Sequence, residues 1–458
     1  MKILIVGAGK LGYDLAKVLS LEDHNIIVID KDSQALKPIA DNFDVMTIQG
    51  NGASPKLLEE IDIQSFNIVL AVTENDELNM ISCMVAKKTG VPVTVARVRN
   101  PEYNPMFPSL FSYTNLGIDL FINPEYLAAQ ELFRLVEVPI ANVVDYFADG
   151  KLSMIGIKID DNLMITGKQI QELNLDTFTV VAVIRKGKAL IPDGKTTLLS
   201  GDKIFILGKT TGFHNLNGLV KQKKPHLNRI IIAGGSLVCQ YFIKLLRTRK
   251  NVPEIKIIES SIEQCRFLSN ELDGCQIVHA DATKMEILEE ENLGSGDIFI
   301  ATTGSDNSNL VASMLANKLG ANDIICDISR EDYISLAETI GVTATITPRL
   351  LTVSTVLKLV RGNVISVNLV NAGEAEAVEY EVEKDAPIAD APIKELSIPQ
   401  GMVIGAIIQN DKVIVPRGDT QIKPGNRVIV FVEHSLALKI EYLFRKQVLI
   451  VSKEHYAL

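Results

Sequence analysis

Short apolar runs alternate with helical segments through the first part of the chain: ILIVG from Ile3, IIVID from Ile26, DVMTIQ from Asp44, IVLAV from Ile68 and VTVARV from Val93. Runs of strand length, spaced by about 20 residues, are what βαβ units with a parallel sheet require. At Asn123-Pro124 the pattern changes, and an Asn N-cap followed by Pro at the first helical position predicts a helix start. The following EYLAAQELFRLV has apolar residues at helical spacing and reads as a connecting helix. Beyond Pro139 short strands and tight turns at Lys186-Gly187 and Asp193-Gly194 predict a small α+β domain.

The same text then starts again. GNGASPKLLEEIDI from Gly50 lies over ADATKMEILEEENL from Ala280, and AVTENDELNM from Ala71 over ATTGSDNSNL from Ala301. GIDLFINPEYL from Gly117 meets GVTATITPRLL from Gly341, and IPDGKTTLLSGDKIFIL from Ile191 meets VPRGDTQIKPGNRVIVF from Val415. The expected fold class is therefore α/β: a tandem duplication of a Rossmann-like parallel-sheet domain followed by a small α+β domain. The expected domains are 1–138, 139–222, 228–363 and 364–450, with the join near KQKKPHLN and a second connecting helix after Pro348.

At 458 residues the chain exceeds one hydrophobic core, consistent with several domains. Its formal charge of -10 disfavours nucleic acid and acidic lipid as main partners, and the one dense basic run, Lys221 to Lys224, reads as a solvated linker. Five cysteines with no CxxC pair fit reduced thiols in a cytoplasmic setting. The N-terminus lacks the pattern of a signal peptide, and the apolar runs fall short of a spanning helix, so any membrane work requires another chain to provide the span.

The candidate chemistry is concentrated in VGAGKLG. Gly7 permits the tight turn, Gly9 lets the backbone approach a pyrophosphate, Gly12 lets helix and strand pack closely, and the helix N-terminus directs free N–H groups at phosphate. Asp30, ending the next strand, is placed to accept ribose hydroxyls, which favours NAD over NADP because a 2'-phosphate would meet its carboxylate. Asn51, Gly52, Thr73, Glu74 and Arg97 also fall where parallel strands end, the edge at which such sheets bind ligands. Arg97 is the cation of this group.

A dehydrogenase is the rival class. Tyr13 and Lys17 have Tyr-x-x-x-Lys spacing, but they sit on the first helix just beyond the loop, away from any nicotinamide. The six histidines form no metal-ligand pair, and the two GKTT stretches at Gly194 and Gly208 lack the earlier glycine of a phosphate-binding Walker loop. A soluble nucleotide sensor with a non-membrane partner is the third class.

MKILIVGAGKLG, VIDKD, QGNGASPKLL, AVTENDELNM and ARVRNPEY, all in order and duplicated, resemble the regulator-of-potassium-conductance family over essentially the whole chain. The resemblance implies a nucleotide sensor for NAD(H), with ATP or ADP as further ligands, rather than an enzyme. It implies a homo-oligomeric ring of paired domains, expected to be a tetramer, lying cytoplasmic and peripheral on the inner face of the membrane beneath an integral-membrane potassium transporter of the Trk type. Carried onto this sequence, the contacts fall on Gly7, Ala8, Gly9, Lys10, Leu11, Gly12, Asp30, Asn51, Thr73, Glu74 and Arg97; Asn51 stands where the family often has His or Asp.

The second copy carries the corresponding candidates Gly234, Gly235, Ser236, Leu237, Glu259, Asp281 and Thr303. Set over the first loop, IIIAGGSLV is expected to put Ala233 at Gly7, Gly235 at Gly9 and Val238 at Gly12, with Asp327 in place of Arg97. That loop is expected to bind a nucleotide weakly, differently or not at all.

Overall fold

The strands that open each half are apolar on both faces, as a parallel sheet covered on both sides demands. Ile3, Leu4 and Ile5 have no exposure, nor do Ile230, Ile231 and Ile232 in the second half. The computed structural model describes residues 1–22, 24–103, 116–137, 143–147, 151–161, 163–173, 178–186, 188–190, 192–210, 229–249, 251–294, 296–321, 323–361, 364–370, 375–410, 412–437 and 439–445. The KQKK linker, Pro139, Gly187, His214, His226 and His455 lie outside these residues.

In the first half β1 (Lys2–Val6), α1 (Lys10–Ser20), β2 (Asn25–Asp30), α2 (Ser33–Asn42), β3 (Met46–Gln49), α3 (Pro55–Glu60), β4 (Ile68–Ala71), α4 (Asp76–Lys88), β5 (Val93–Arg97) and β6 (Leu120–Ile122) precede α5 (Pro124–Glu137). The strands pair in parallel in the order β3-β2-β1-β4-β5-β6, so the order reverses beside β1 and opens a crevice at the carboxyl edge. The periodicity of the sequence displays five of these strands; β6 is a sixth, too short to register in an apolar pattern and held by its pairing with β5. Asn123 caps α5 as expected, its Oδ1 accepting from Tyr126 N at 2.9 Å.

An antiparallel sheet follows, from β7 (Val143–Phe147), β8 (Leu152–Lys158), β9 (Phe178–Arg185), β10 (Lys188–Leu190) and β11 (Lys203–Lys209), in the order β10-β9-β11-β8-β7. The second half repeats both sheets. Its parallel sheet comes from β12 (Arg229–Ala233), α6 (Leu237–Leu246), β13 (Glu254–Glu259), α7 (Ile262–Glu271), β14 (Gln276–His279), α8 (Met285–Glu290), β15 (Asp297–Ala301), α9 (Asp306–Lys318), β16 (Asp323–Asp327), α10 (Ile334–Thr339), β17 (Ala344–Ile346) and α11 (Pro348–Arg361). Its antiparallel sheet comes from β18 (Val364–Val370), β19 (Ala375–Glu381), β20 (Met402–Gln409), β21 (Lys412–Ile414) and β22 (Arg427–Glu433), before the short α12 (His434–Ala437).

The four sheets group in twos. One compact unit comprises Met1–Phe133 with Leu227–Val360 and holds both Rossmann-like halves; the other comprises Arg134–His226 with Arg361–Leu458 and holds both antiparallel sheets. In the second unit the two sheets share one core, where Val181, Phe205 and Leu207 meet Ala406, Ile429 and Phe431, and the Phe205 and Phe431 rings lie 6.0 Å apart. Burying each such large side chain contributes about 1.5–3 kcal/mol.

Candidate functional site

The first Gly loop is built around steric necessity. Gly7 adopts φ +112°, and its N–H donates to Ile29 O at 2.8 Å, turning the chain off β1. A Cβ on Gly12 would stand 1.9 Å from Gly7 O, so only glycine lets α1 come this close to the loop. Gly9 differs: a Cβ there would meet nothing within 4 Å, which leaves open space on the side from which a ligand approaches.

Gly9 is also the N-cap of α1, and no side chain caps the helix. Its first N–H groups therefore point outward with the positive end of the helix dipole behind them, an arrangement that favours an anion. Asp30 faces the loop from the end of β2. Its Oδ2 accepts from Ala8 N at 2.6 Å and its Oδ1 from Asp32 N at 2.9 Å, so the carboxylate anchors the loop and keeps further lone pairs for a ligand.

Arg97 ends β5 and is 9% exposed; its Nη1 donates to Thr73 O at 3.2 Å and to Glu74 Oε1 at 3.1 Å, and its buried Nε has no hydrogen-bond partner. Glu74, 80% exposed, also pairs with Arg99, and such open pairs are worth at most about 1 kcal/mol. Thr73 lies against Gly7, where a Cβ on the glycine would stand 2.9 Å from Thr73 N. Gly7, Ala8, Gly9, Asp30, Thr73 and Arg97 thus converge at the carboxyl edge. Asn51 is exposed, and its Oδ1 accepts from Ala53 N within its own turn. Lys10 is exposed as well, whereas the Leu11 side chain is buried under the loop.

Sequence reading missed Asn79. It is fully buried, accepts from Thr73 N and Oγ1 at 2.9 and 2.7 Å, and donates to Arg97 O at 2.9 Å, tying two site residues together. Asn309 makes the matching bonds to Thr303 and Asp327 O. The signal was present in the repeat, since the two asparagines coincide when AVTENDELNM is set over ATTGSDNSNL.

The second loop is in a different register from the one its sequence invites. Val6 O accepts from Val72 N and Ala233 O from Thr302 N, while Gly7 N and Gly234 N donate to Ile29 O and Ile258 O. Gly234, at φ +93°, is therefore the counterpart of Gly7; Gly235 matches Ala8, Ser236 matches Gly9 and Cys239 matches Gly12. Ala233 and Val238 do not replace Gly7 and Gly12, because the strand pairing, rather than the glycines, fixes the offset. What the second loop loses is the bare helix start. Ser236 Oγ caps α6 by accepting from Cys239 N, and Gln264 and Gln240 donate to Gly235 O at 2.7 and 3.2 Å.

The other counterparts keep structural roles. Glu259 repeats the Asp30 anchor, accepting from Gly235 N at 2.8 Å and Ser261 N at 2.7 Å. Asp281 accepts from the Thr283 hydroxyl and N–H, which hold its carboxyl below the usual range. Asp327, in the Arg97 place, has an enclosed Oδ1 without a hydrogen-bond partner. Burial, with smaller contributions from Asp306 and Glu125, pushes its pKa up to about 7.

Among the described residues, no group of three or more His, Cys, Asp or Glu is placed to hold a metal, and no helix is long and apolar enough to cross a membrane. The Tyr13 ring packs edge-on at 5.0 Å against Phe43, the extended residue that ends α2, rather than at the carboxyl edge.

Fold and site define a class: duplicated Rossmann-like domains, each followed by a small antiparallel domain, with one Gly loop open to an anionic nucleotide. The model of the TrkA-N domain matches residues 3–124 and 230–348, and that of the TrkA-C domain matches residues 154–218 and 377–445. The chain belongs to the TrkA family.

Among its relatives, the Trk system potassium uptake protein TrkA homolog 1 of Methanosarcina mazei is 35% identical over 454 residues, covering 97% of this chain and 100% of the relative. The TrkA homolog of Archaeoglobus fulgidus is 36% identical over 446 residues with the same coverage, and TrkA of Halomonas elongata is 30% identical over 456 residues, covering 97% and 99%. The solved GsuK channel bound to NAD shares the fold, with a TM-score of 0.61 at 15% identity over 97% of this chain and 79% of that one. The GsuK RCK domain gives 0.60 at 16% identity over 96% and 94%.

Proposed function

We propose that this chain is the nucleotide-sensing regulatory subunit of a potassium-uptake system, binding NAD(H) or ATP/ADP at the first Gly loop and gating a separate integral-membrane transporter of the Trk type. The observation that carries the reading is the uncapped start of α1 beneath Gly9, with open space before it and Asp30 beside it. The relatives named Trk system potassium uptake proteins supply the transport context. The oligomer is a ring, a tetramer of paired domains, lying on the inner face of the membrane.

In this mechanism the N–H groups at the start of α1 would hold the pyrophosphate and the Asp30 carboxylate would accept from the ribose hydroxyls. Arg97, now paired with the exposed Glu74, would be the cation available to phosphate oxygens, since charge-assisted bonds to phosphate are stronger than an exposed ion pair. A ligand shifts a conformational equilibrium only by its differential affinity for the two states, so NADH and ATP control the gate differently only if they hold this edge differently.

Calorimetric titration of NADH and ATP into the intact chain and an Asp30→Ala variant tests the reading. The wild type is expected to bind at least one nucleotide and the variant to bind it at least about tenfold more weakly, a loss of roughly 1.4 kcal/mol. Failure of the wild type to bind either nucleotide overturns the sensor role.

A further inference from the structure

Within the unit that holds both Rossmann-like halves, each connecting helix begins against the first helix of the other half. Counting five residues past the N-caps Gly9 and Ser236 makes Asp14 on α1 and Tyr241 on α6 equivalent. Glu125 and Arg349 are equivalent too, each following the proline that opens α5 or α11. Arg349 Nη1 lies 2.9 Å from Asp14 Oδ2, and its Nη2 donates to Ser329 O. On the matching side Tyr241 accepts from Asn123 Nδ2 at 3.1 Å and stacks edge-on with Tyr126 at 5.5 Å.

The unit that holds both antiparallel sheets has its own matched pair. Val181 and Gly405 are each the fourth residue of their strand, β9 or β20, and each is the extra residue where pairing with the central strand slips. A Cβ on Gly405 would stand 2.7 Å from Val181 Cγ1 and 2.8 Å from Leu207 Cδ2. Val181 fills the room that its own counterpart vacates.

We propose that these opposed residues at equivalent positions make half one the specific partner of half two and reject a second copy of half one. Pairing two first halves would set Asp14 against Glu125, whose Oε2 is already buried without a partner while Arg99 holds only Oε1, and would press Val181 on Val181. Pairing two second halves would give Arg349 a tyrosine in place of a carboxylate and would leave Gly405 facing Gly405 over a void. Specificity of this kind comes from the mismatches as much as from the match. It operates whether or not a nucleotide is bound.

Two experiments on the full-length chain test it. Asp14→Cys with Arg349→Cys is expected to oxidise to a disulfide mapped between positions 14 and 349, and the charge swap Asp14→Arg with Arg349→Asp is expected to recover most of the melting temperature that either single substitution costs; no 14-to-349 disulfide, or a swapped chain no more stable than the single variants, overturns the proposal. Gly405→Val is expected to lower the apparent melting temperature by roughly 2–10 °C, and Gly405→Val with Val181→Gly to recover most of that loss. A double variant no more stable than Gly405→Val also overturns it.

Discussion

Glycines 9 and 12 belong to one motif but answer to different forces. Gly12 is enclosed, and a methyl group there would overlap Gly7 O, so Gly12→Ala is expected to cost about 2 kcal/mol or more in chemical denaturation. Gly9 is open and already serves as an N-cap, the role Ser236 fills with its hydroxyl in the second half. Gly9→Ser should therefore keep or raise stability, by up to about 1 kcal/mol, while weakening nucleotide binding, because the hydroxyl takes the N–H groups meant for phosphate. Equal loss of stability in the two variants would contradict this division of roles. Both roles were legible in VGAGKLG, Gly12 for packing and Gly9 for the ligand; what the sequence did not show is that the group excluding a side chain at Gly12 is the carbonyl of Gly7 in the same loop.

Where the ends of β16, α9 and α5 meet, Asp327, Asp306 and Glu125 gather. Asp327 has its pKa raised to about 7, and Asp323, at the start of β16, is raised by burial to about 6. From about pH 4, where unfolded carboxylates titrate, up to these values the folded chain holds protons that the unfolded chain releases. Unfolding free energy should therefore fall as pH rises through this window and level off above about pH 7, with a slope of at most about 1.4 kcal/mol per pH unit per group. Asp327→Asn should flatten the curve between about pH 6 and 7 and leave the Asp323 slope below it. Denaturation midpoints across pH check this, and an unchanged profile in the variant would refute it. The sequence identified Asp327 as the replacement for Arg97 but gave no measure of its enclosure, because the acids beside it come from two other segments, Asp306 from α9 and Glu125 from α5.

Across the whole molecule the duplicated halves are unequal partners. With Ser236 capping α6 and the Asp327 carboxyl in the place of Arg97, the second crevice presents a phosphate with a side-chain-capped helix start and an acid where the first crevice has a guanidinium. One nucleotide per chain is the expected stoichiometry in calorimetry. At a free concentration one hundred times the Kd, that ligand should stabilise the unit holding the Gly loops by about 2.7 kcal/mol. Two equivalent sites per chain would refute the inequality of the halves.

The sequence by itself determined what local spacing can encode: apolar runs of strand length, a helix opened by Asn123-Pro124 and another after Pro348, the turn glycines, and the restart of the whole pattern. Those features follow from side-chain periodicity and φ/ψ limits, which act over a few residues. Only the tertiary structure decided the register of the second Gly loop, the β6 edge, the bridging role of Asn79 and the Asp14 to Arg349 pair. Each of these depends on chain segments far apart in sequence closing to within hydrogen-bond or van der Waals distance, where a shift of one residue or one methyl group changes the outcome.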